Sequence, residues 1–285
     1  MKTFFIIQAV LLALLLLAVF LYIENNYIDV TKYKLRSASV NSRFKIAHLS
    51  DLHSKPFYEV IDKLKEQHPD LIVITGDYIN DHEKNKEKML SFGKALLALA
   101  PVYYITGNHE RRLASFDTLM EELRNIGFHV LLNETAQLTI EDNEIAILGL
   151  DENQANFDDY KARKADTFVY QDMAPYFQEL EVMNGFKLVL SHYPENFAAV
   201  KENNYSQYGF DLQLSGHAHG GQFNLPFIGP VFSPGQGLRP QYAKGSFGKK
   251  PMLIVSRGIG NAEFPFRLFN HPEINIITVT RELEK

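Results

Sequence analysis

Two histidines, His217 and His219, stand in a glycine-rich turn that follows a short strand pattern. The turn reads Leu214-Ser-Gly-His-Ala-His-Gly-Gly-Gln222. Glycine accepts positive φ and lets the backbone approach a bound group closely, and imidazole is the commonest metal ligand. A single His-x-His is more often a surface feature, so the turn alone only suggests a metal site.

Four earlier strand patterns end in the same kind of residue. Their exits carry Asp51 and His53, then Asp77, then Asn108 and His109, then His192. Any one of these could be an ordinary turn residue, because Asp and Asn are common in turns. Ligand sites in open α/β sheets form outside the carboxyl ends of the strands. We therefore expect all of these side chains to meet the histidine turn at one edge.

The expected ligands supply carboxylate, imidazole and amide donors and no thiolate. They are Asp51, His53, Asp77, Asn108, His192, His217 and His219. Such a mixed set suits manganese, iron, zinc or magnesium. Seven donors are too many for one catalytic ion with open positions, and they fit two ions about 3.5–4 Å apart that share a carboxylate. The other histidines are predicted to be surface or structural residues: His48, His68, His82, His129 and His271.

Strand and helix patterns alternate from Phe44 onward, which is typical of an α/β protein whose strands are buried on both faces. Strands are predicted at 44–50, 71–75, 102–106, 187–190, 252–256 and 274–280, helices at 56–68, 84–99, 115–125 and 157–180, and a hairpin at 137–150. The stretch Phe223–Lys250 is rich in glycine, proline and aromatic residues. It is either a twisted hairpin whose rings fill the core or an apolar rim above the metals.

Composition narrows the class of protein. The chain has 285 residues, of which 46% are hydrophobic, enough for one sizeable core. Its net charge is −5, so no basic surface for nucleic acid is expected. Cysteine is absent, which excludes disulfides, thiolate zinc sites and cysteine nucleophiles. The sequence leaves the oligomeric state open.

The amino-terminal segment Thr3–Ile23 is almost wholly apolar. As a helix it would measure ~30 Å, the hydrocarbon thickness of a bilayer. A cleaved signal peptide is the alternative, but bulky residues follow where small ones precede a cleavage site. We therefore expect a transmembrane anchor at 1–24, a connector and edge strand at 25–43, and the catalytic domain at 44–285. Positive charges counted strictly place this domain inside the cell, whereas the lack of cysteine fits an extracytoplasmic domain of a single-pass membrane protein.

The strand-exit blocks resemble, in order, the five signature blocks of the calcineurin-like metallophosphoesterases. The blocks are Asp51-x-His53, Gly76-Asp77, Gly107-Asn-His-Glu110, Ser191-His192 and Gly216-His-Ala-His219. The resemblance covers about Phe44 to Thr280 and implies a two-sheet β-sandwich flanked by α-helices in four layers. Near the carboxyl end, Pro265-Phe-Arg267 and its surroundings are similar to a membrane-anchored bacterial branch of YkuE- and YaeI-like phosphodiesterases.

The resemblance also implies roles for individual residues. One ion would take Asp51, His53, Asp77 and His219, and the other would take Asp77, Asn108, His192 and His217. His109 would be catalytic, protonating the leaving oxygen or stabilising the transition state. Glu110 either orients His109 through a hydrogen bond or is a solvated turn residue. Arg111 and Arg112 either meet a second phosphate or lie on a solvated surface.

The function implied is hydrolysis of a phosphodiester or pyrophosphate bond by a metal-activated hydroxide, with manganese favoured over zinc, iron and magnesium. The substrate could be amphiphilic, such as a lipid-linked or UDP-sugar-lipid phosphoester. The alternatives are a phosphomonoesterase or phosphoprotein phosphatase, and a non-catalytic membrane scaffold that binds metal and a headgroup.

Overall fold

The computed structural model describes residues 1–82, 85–152, 169–200, 203–261 and 264–282. The helices are α1 Lys2–Asn26, α2 Tyr58–Gln67, α3 Lys86–Leu97, α4 Asn108–Arg111, α5 Phe116–Ile126 and α6 Ala174–Val182. The strands are β1 Asp29–Ser37, β2 Phe44–Leu49, β3 Leu71–Thr75, β4 Val102–Ile105, β5 His129–Val130, β6 Glu134–Ile140, β7 Asn143–Gly149, β8 Phe186–Leu190, β9 Leu212–Ser215, β10 Asn224–Leu225, β11 Gly229–Pro230, β12 Phe232–Ser233, β13 Gly237–Leu238, β14 Gly245–Gly248, β15 Met252–Val255 and β16 Glu273–Arg281.

Two six-stranded sheets form the centre of the domain. The first has the order β1-β16-β2-β3-β4-β5, and β2 to β5 run parallel. The second has the order β14-β15-β9-β8-β7-β6, with β15, β9, β8 and β7 parallel. Parallel strands bring their carboxyl ends to one edge of each sheet, so the loops that leave them can meet.

Apolar side chains form three hydrophobic cores, one between the two sheets and one on the outer face of each. One core lies between the two sheets, where Phe44 meets Phe186. A second lies between the first sheet and helices α2, α3 and α5, and a third covers the outer face of the second sheet with α6. Strand β3 is buried along its whole length, as a strand between two apolar layers must be. The predicted sandwich flanked by helices is confirmed.

Most predicted elements occupy their expected places, and the differences lie at ends and in loops. Helix α5 ends at Gly127, whose φ of 113° is the left-handed value that ends many helices. Of the helix predicted at 157–180, residues 157–168 lie outside the described part, residues 169–173 are not helical, and the remainder falls within α6, Ala174–Val182. The stretch Phe223–Lys250 is two short hairpins followed by β14. Its aromatic side chains are of two kinds: Tyr242 is buried in the core, whereas Phe227 is fully exposed.

Helix α1 is long and apolar enough to cross a membrane, a test that a signal sequence also passes. It leaves its side chains exposed up to Val19, and its last turn then packs onto the domain, where Glu24 is buried. Strand β1 follows and lies at the edge of the first sheet, parallel to β16. The predicted edge strand is thus an integral part of that sheet.

Candidate metal centre

All seven predicted ligands meet at the carboxyl edge of the two sheets. The first sheet contributes Asp51 and His53 after β2, Asp77 after β3 and Asn108 after β4, and the second contributes His192 after β8 and His217 and His219 after β9. None of them is more than 9% exposed. The strand exits therefore gather a buried polar cluster between two apolar cores.

The backbone at most of these residues has positive φ, a conformation that residues other than glycine rarely adopt. Five of the seven residues have φ between 46° and 64°: Asp51, His53, Asp77, His217 and His219. Each such residue costs on the order of 1–3 kcal/mol and persists only where its surroundings enforce it. Here the Asp51 amide donates to the Gly76 carbonyl at 3.1 Å, and the His53 amide donates to the Asp77 carbonyl at 2.9 Å.

Two glycines let the strand exits touch. A Cβ on Gly76 would lie 2.7 Å from Nδ1 of His192, and the φ of 86° at this glycine is itself left-handed. A Cβ on Gly216 would collide with the hydroxyl of Ser50 and the carboxylate of Asp51. Larger residues at either position would push the two sheets' exits apart.

The donor atoms form one group of Asp51, His53 and His219 and a second of Asp77, His192 and His217, and a third group of His53, Asp77 and His109 links the two. In the first group, Nε2 of His219 lies 3.5 Å from Oδ1 of Asp51 and 3.1 Å from Nε2 of His53. In the second, Nε2 of His192 lies 3.2 Å from Oδ1 of Asn108, and His217 completes the group. Oδ2 of Asp77 stands between them, 3.8 Å from Nε2 of His53 and 3.4 Å from Nε2 of His192.

These separations fit coordination of divalent cations. With bonds of about 2.1 Å, neighbouring ligand atoms lie about 3.0 Å apart in an octahedron and about 3.4 Å apart in a tetrahedron. The observed 3.1–3.8 Å spans the tetrahedral value and begins just above the octahedral one. His192 is also oriented as a ligand, because its Nδ1 lies 2.7 Å from the Thr75 carbonyl and its Nε2 points into the cluster.

The pKa shifts of these side chains are also consistent with metal binding. Burial lowers the pKa of His53 to about 3 and holds the pKa of His219 well below its usual value, so both rings are neutral and able to ligate. Burial alone would raise the pKa of Asp77, but the neighbouring His192 and His109 bring it well below its usual value. Burial likewise lowers the pKa of His192, and the Asp77 carboxylate more than offsets this, raising it to about 10. The cluster favours positive charge beside Asp77, which is what a bound cation provides.

His109 lies at the margin of the cluster. Its backbone amide donates to Oδ1 of Asp77 at 2.9 Å, and its Nε2 lies 4.0 Å from Oδ2 of the same carboxylate. Nδ1 of His109 faces the Asp81 carboxylate at 3.5 Å. Glu110, which the sequence suggested as the orienting group, is buried and accepts hydrogen bonds from the backbone amides of Asp77, Ile79 and Gly107. The group beside the His109 ring is therefore Asp81, and Glu110 fixes the backbone of two strand exits.

Arg111 and Arg112 both pair with carboxylates. Arg111 forms an ion pair with Asp151 and lies over the ring of Phe116. Arg112 donates to Oδ2 of Asp81 at 2.9 Å, so it also supports the carboxylate next to His109. A role for either arginine in binding a second phosphate stays a prediction.

The other five histidines differ in their surroundings. His48 is fully buried, with Nε2 2.8 Å from the hydroxyl of Thr75. His68, His82 and His129 are exposed, and His271 lies beside Glu24. None of these five belongs to the donor groups formed by the described residues.

Three further residues support the cluster, although the sequence did not predict a role for them: Glu152, Arg267 and Asn270. Glu152 is buried and accepts hydrogen bonds from the hydroxyl of Ser191 at 2.9 Å and the amide of His192 at 3.1 Å. Burial raises the pKa of this carboxyl. Its signal was available, because it is an acidic residue just beyond β7, in the same position as the predicted ligands.

Arg267 and Asn270 hold the histidine turn from the carboxyl-terminal region. Arg267 is fully buried, its Nη2 lies 3.3 Å from Nδ1 of His219, and burial lowers its pKa to about 10. The side-chain amide of Asn270 donates to the carbonyls of His219 at 2.7 Å and Gln222 at 3.1 Å. Arg267 belongs to the Pro265-Phe-Arg267 segment, for which the sequence predicted no role in the site. No local sequence pattern predicted a role for Asn270.

The family model and the relatives that match this chain agree on one family. A sequence model of the family described as calcineurin-like phosphoesterase matches residues 44–221. The chain is 29% identical over 276 residues to YkuE of Bacillus subtilis, named an uncharacterized metallophosphoesterase, covering 90% of this chain and 87% of that protein. It is 26% identical over 266 residues to phosphodiesterase YaeI of Escherichia coli, covering 90% of each.

Among solved structures, a Staphylococcus aureus protein assigned as a 5'-nucleotidase superposes with a TM-score of 0.52 at 12% identity. The match covers 85% of this chain and 55% of that one. At this identity the likeness concerns the fold, and it agrees with the two sheets and flanking helices described above.

Proposed function

The chain belongs to the calcineurin-like phosphoesterase family, and from that premise we propose that it is a membrane-anchored phosphodiesterase or pyrophosphatase that binds two divalent cations on either side of Asp77. Family membership and the YkuE and YaeI relatives make it a metal-dependent phosphoester hydrolase. The observation that carries the two-cation proposal is the Asp77 carboxylate, 3.8 Å from Nε2 of His53 in one donor group and 3.4 Å from Nε2 of His192 in the other.

A pair of divalent cations supplies activation of water and neutralisation of charge on phosphoryl oxygens. The chain's own residues hold and surround that chemistry. Asp51, His53 and His219 would bind on one side of Asp77, and Asn108, His192 and His217 on the other. Manganese is the favoured metal, because the carboxylate and amide oxygens suit it and thiolate is absent.

His109 has the position of a general acid. It is buried except for about a tenth of its surface, beside Asp77 but outside the seven ligands. With Asp81 facing Nδ1, Nε2 is the atom that would hand a proton to the leaving oxygen. Arg112 pairs with Asp81 and keeps that carboxylate in place.

A diester or pyrophosphate is preferred as substrate because YaeI, which matches this chain along nearly its whole length, is named a phosphodiesterase. Helix α1 would keep the enzyme at the membrane, which favours an amphiphilic substrate such as a lipid-linked or UDP-sugar-lipid phosphoester. The alternative is a phosphomonoesterase or phosphoprotein phosphatase, which the same donor set could also serve. A non-catalytic scaffold would not need the complete ligand set.

The test is the full chain in detergent, loaded with manganese and assayed on a chromogenic phosphodiester, the matching monoester and a UDP-linked lipid. We expect two manganese ions per chain by plasma mass spectrometry and faster turnover of the diester or the UDP-linked lipid than of the monoester. Turnover of the monoester alone, or a single tightly bound ion, would overturn the proposal.

A further inference from the structure

We propose that an apolar rim beside helix α1 is embedded in the membrane interface and holds the metal centre against the bilayer surface. The rim consists of Phe227, Ile228, Phe264, Phe266 and Phe269. The site would then take phosphoesters of membrane lipids from the headgroup layer. This inference deepens the proposed function and rests on its membrane anchoring.

The rim is in contact with the membrane helix itself. The ring of Phe20 in α1 packs against the ring of Phe269 with centroids 5.5 Å apart. Phe20 belongs to the apolar segment Thr3–Ile23, whose 21 residues rise ~31 Å as a helix, so a bilayer core of ~30 Å uses nearly all of it. Phe20 therefore lies at the boundary of the hydrocarbon, and Phe269 lies at the same depth.

Hydrogen bonds fix the domain to the helix at this height. Oδ1 of Asn25 accepts from the backbone amide of Arg267 at 2.7 Å and from the side chain of Asn261 at 3.1 Å. The Glu24 carboxylate accepts from the amide of Asn270 at 3.0 Å and lies 3.1 Å from Nε2 of His271. A flexible tether would let the domain turn away from the bilayer, whereas this docked helix end holds one face toward it.

The rim is exposed. Phe227 is fully exposed, Ile228 is 60% exposed, and Phe264, Phe266 and Phe269 are 40–47% exposed. Phe223, four residues before Phe227 in the chain, has its ring 5.4 Å from the ring of Phe264 and 5.7 Å from that of Phe266. Exposed apolar surface of this kind marks interaction sites, and the contact of Phe269 with helix α1 makes the bilayer the partner that we infer.

The same segments reach the metal centre on their inner side. Phe266 points to the surface, while the next residue, Arg267, is buried with Nη2 3.3 Å from Nδ1 of His219. The side chain of Gln222 donates to the Phe266 carbonyl at 2.8 Å. Arg267, the neighbour of Phe266 in the chain, thus contacts the predicted ligand His219. Rings of this segment that enter the interface would bring the cations close to the headgroups.

The chain contains no tryptophan, so single substitutions give a unique fluorescent probe. Phe227→Trp and Phe266→Trp place the probe on the rim. Val182→Trp is the matched control, because Val182 is 82% exposed at the end of α6 that leads into β8, opposite the β8 end that carries His192. Each full-length variant is reconstituted into phosphatidylcholine vesicles with and without bromine on the upper acyl-chain carbons, and manganese binding confirms that it has folded.

We expect bromine to quench Phe227→Trp and Phe266→Trp emission at least twofold and to leave Val182→Trp unchanged. Rim probes that are quenched no more than the control would overturn the inference, and so would a chain that fails to partition with vesicles. Quenching requires no turnover, so the two proposals fail separately. Quenched but inactive protein contradicts the phosphodiesterase assignment, and active but unquenched protein contradicts the rim.

Discussion

The Glu24 carboxylate accepts a hydrogen bond from the backbone amide of Asn270 at 3.0 Å. Asn270 in turn donates its side-chain amide to the carbonyl of His219 at 2.7 Å. Two hydrogen bonds thus connect the last turn of the apolar helix to a predicted metal ligand. The helix end is therefore part of the structure that positions the candidate metal centre, as well as a candidate anchor.

Glu24→Ala should therefore weaken manganese binding. Hydrogen bonds to charged groups contribute about 1.5–3 kcal/mol, and if part of this is transmitted through Asn270, affinity falls roughly threefold to tenfold. Calorimetric titration of the apoprotein with manganese measures the change. The control is Glu59→Ala on α2, whose carboxylate makes only a surface pair with Lys63. Equal affinities in the two variants would contradict the connection.

Asp77→Ala should abolish hydrolysis and release at least one cation, because this carboxylate stands between both donor groups. Metal content by mass spectrometry and turnover on a phosphodiester test this together. The exposed Asp62, paired on the surface with Lys65, gives the control Asp62→Ala. Full activity in Asp77→Ala would rule out the two-cation assignment.

His109→Gln should reduce turnover by roughly 10²–10⁴, the usual effect of losing a general acid. The loss should shrink for leaving groups of low pKa, which need no proton. Turnover over a series of substituted phenyl diesters measures this. An equal loss across the series would instead indicate that His109 stabilises charge in the transition state.

Asp81→Asn should lower kcat and leave KM nearly unchanged, since Asp81 reaches the reaction only through the His109 ring that it faces at 3.5 Å. Its dependence on the leaving group should follow that of His109→Gln. In a double variant with His109→Gln the two losses should not add. Additive losses would mean that Asp81 acts independently of His109.

Chelation should destabilise the fold. Cations that bind only the folded chain stabilise it by about 2.7 kcal/mol at a concentration of 100 Kd, which corresponds to roughly 5–10 °C in Tm for a domain of this size. Calorimetric scans with EDTA and with manganese measure the difference. Asp77→Ala serves as the control and should show a smaller shift. Identical Tm values with and without manganese in the unsubstituted chain would contradict the assignment of the cluster as a metal site.

Phe227→Ser should raise KM for an amphiphilic phosphoester and leave a small soluble diester nearly unaffected, because the exposed ring acts on binding and lies outside the metal cluster. Parallel kinetics on both substrates in vesicles measure the two effects. Val182→Ser, at the opposite end of the domain, is the control. Equal losses on both substrates would show that Phe227 supports the fold instead.

The sequence was most informative where function depends on strand ends. Asp77 and His192 could be predicted to meet, since each follows a buried strand and parallel strands end at one edge. The contact between Asn270 and His219 could not be predicted, because it depends on the path of a loop, and a loop has no periodic pattern in the sequence. The pairing of Asp81 with His109 was missed for a similar reason, since Glu110 is closer in sequence but turns toward three backbone amides.

The left-handed residues of the metal cluster come from both sheets, Asp51, His53 and Asp77 from the first and His217 and His219 from the second. Cations bound among them would join the two sheets across their shared edge. In a chain without cysteine, such a centre would take the place of a covalent cross-link. Unfolding would then have to begin at the opposite ends of the strands, so cation loading should slow the unfolding rate more than it changes the refolding rate.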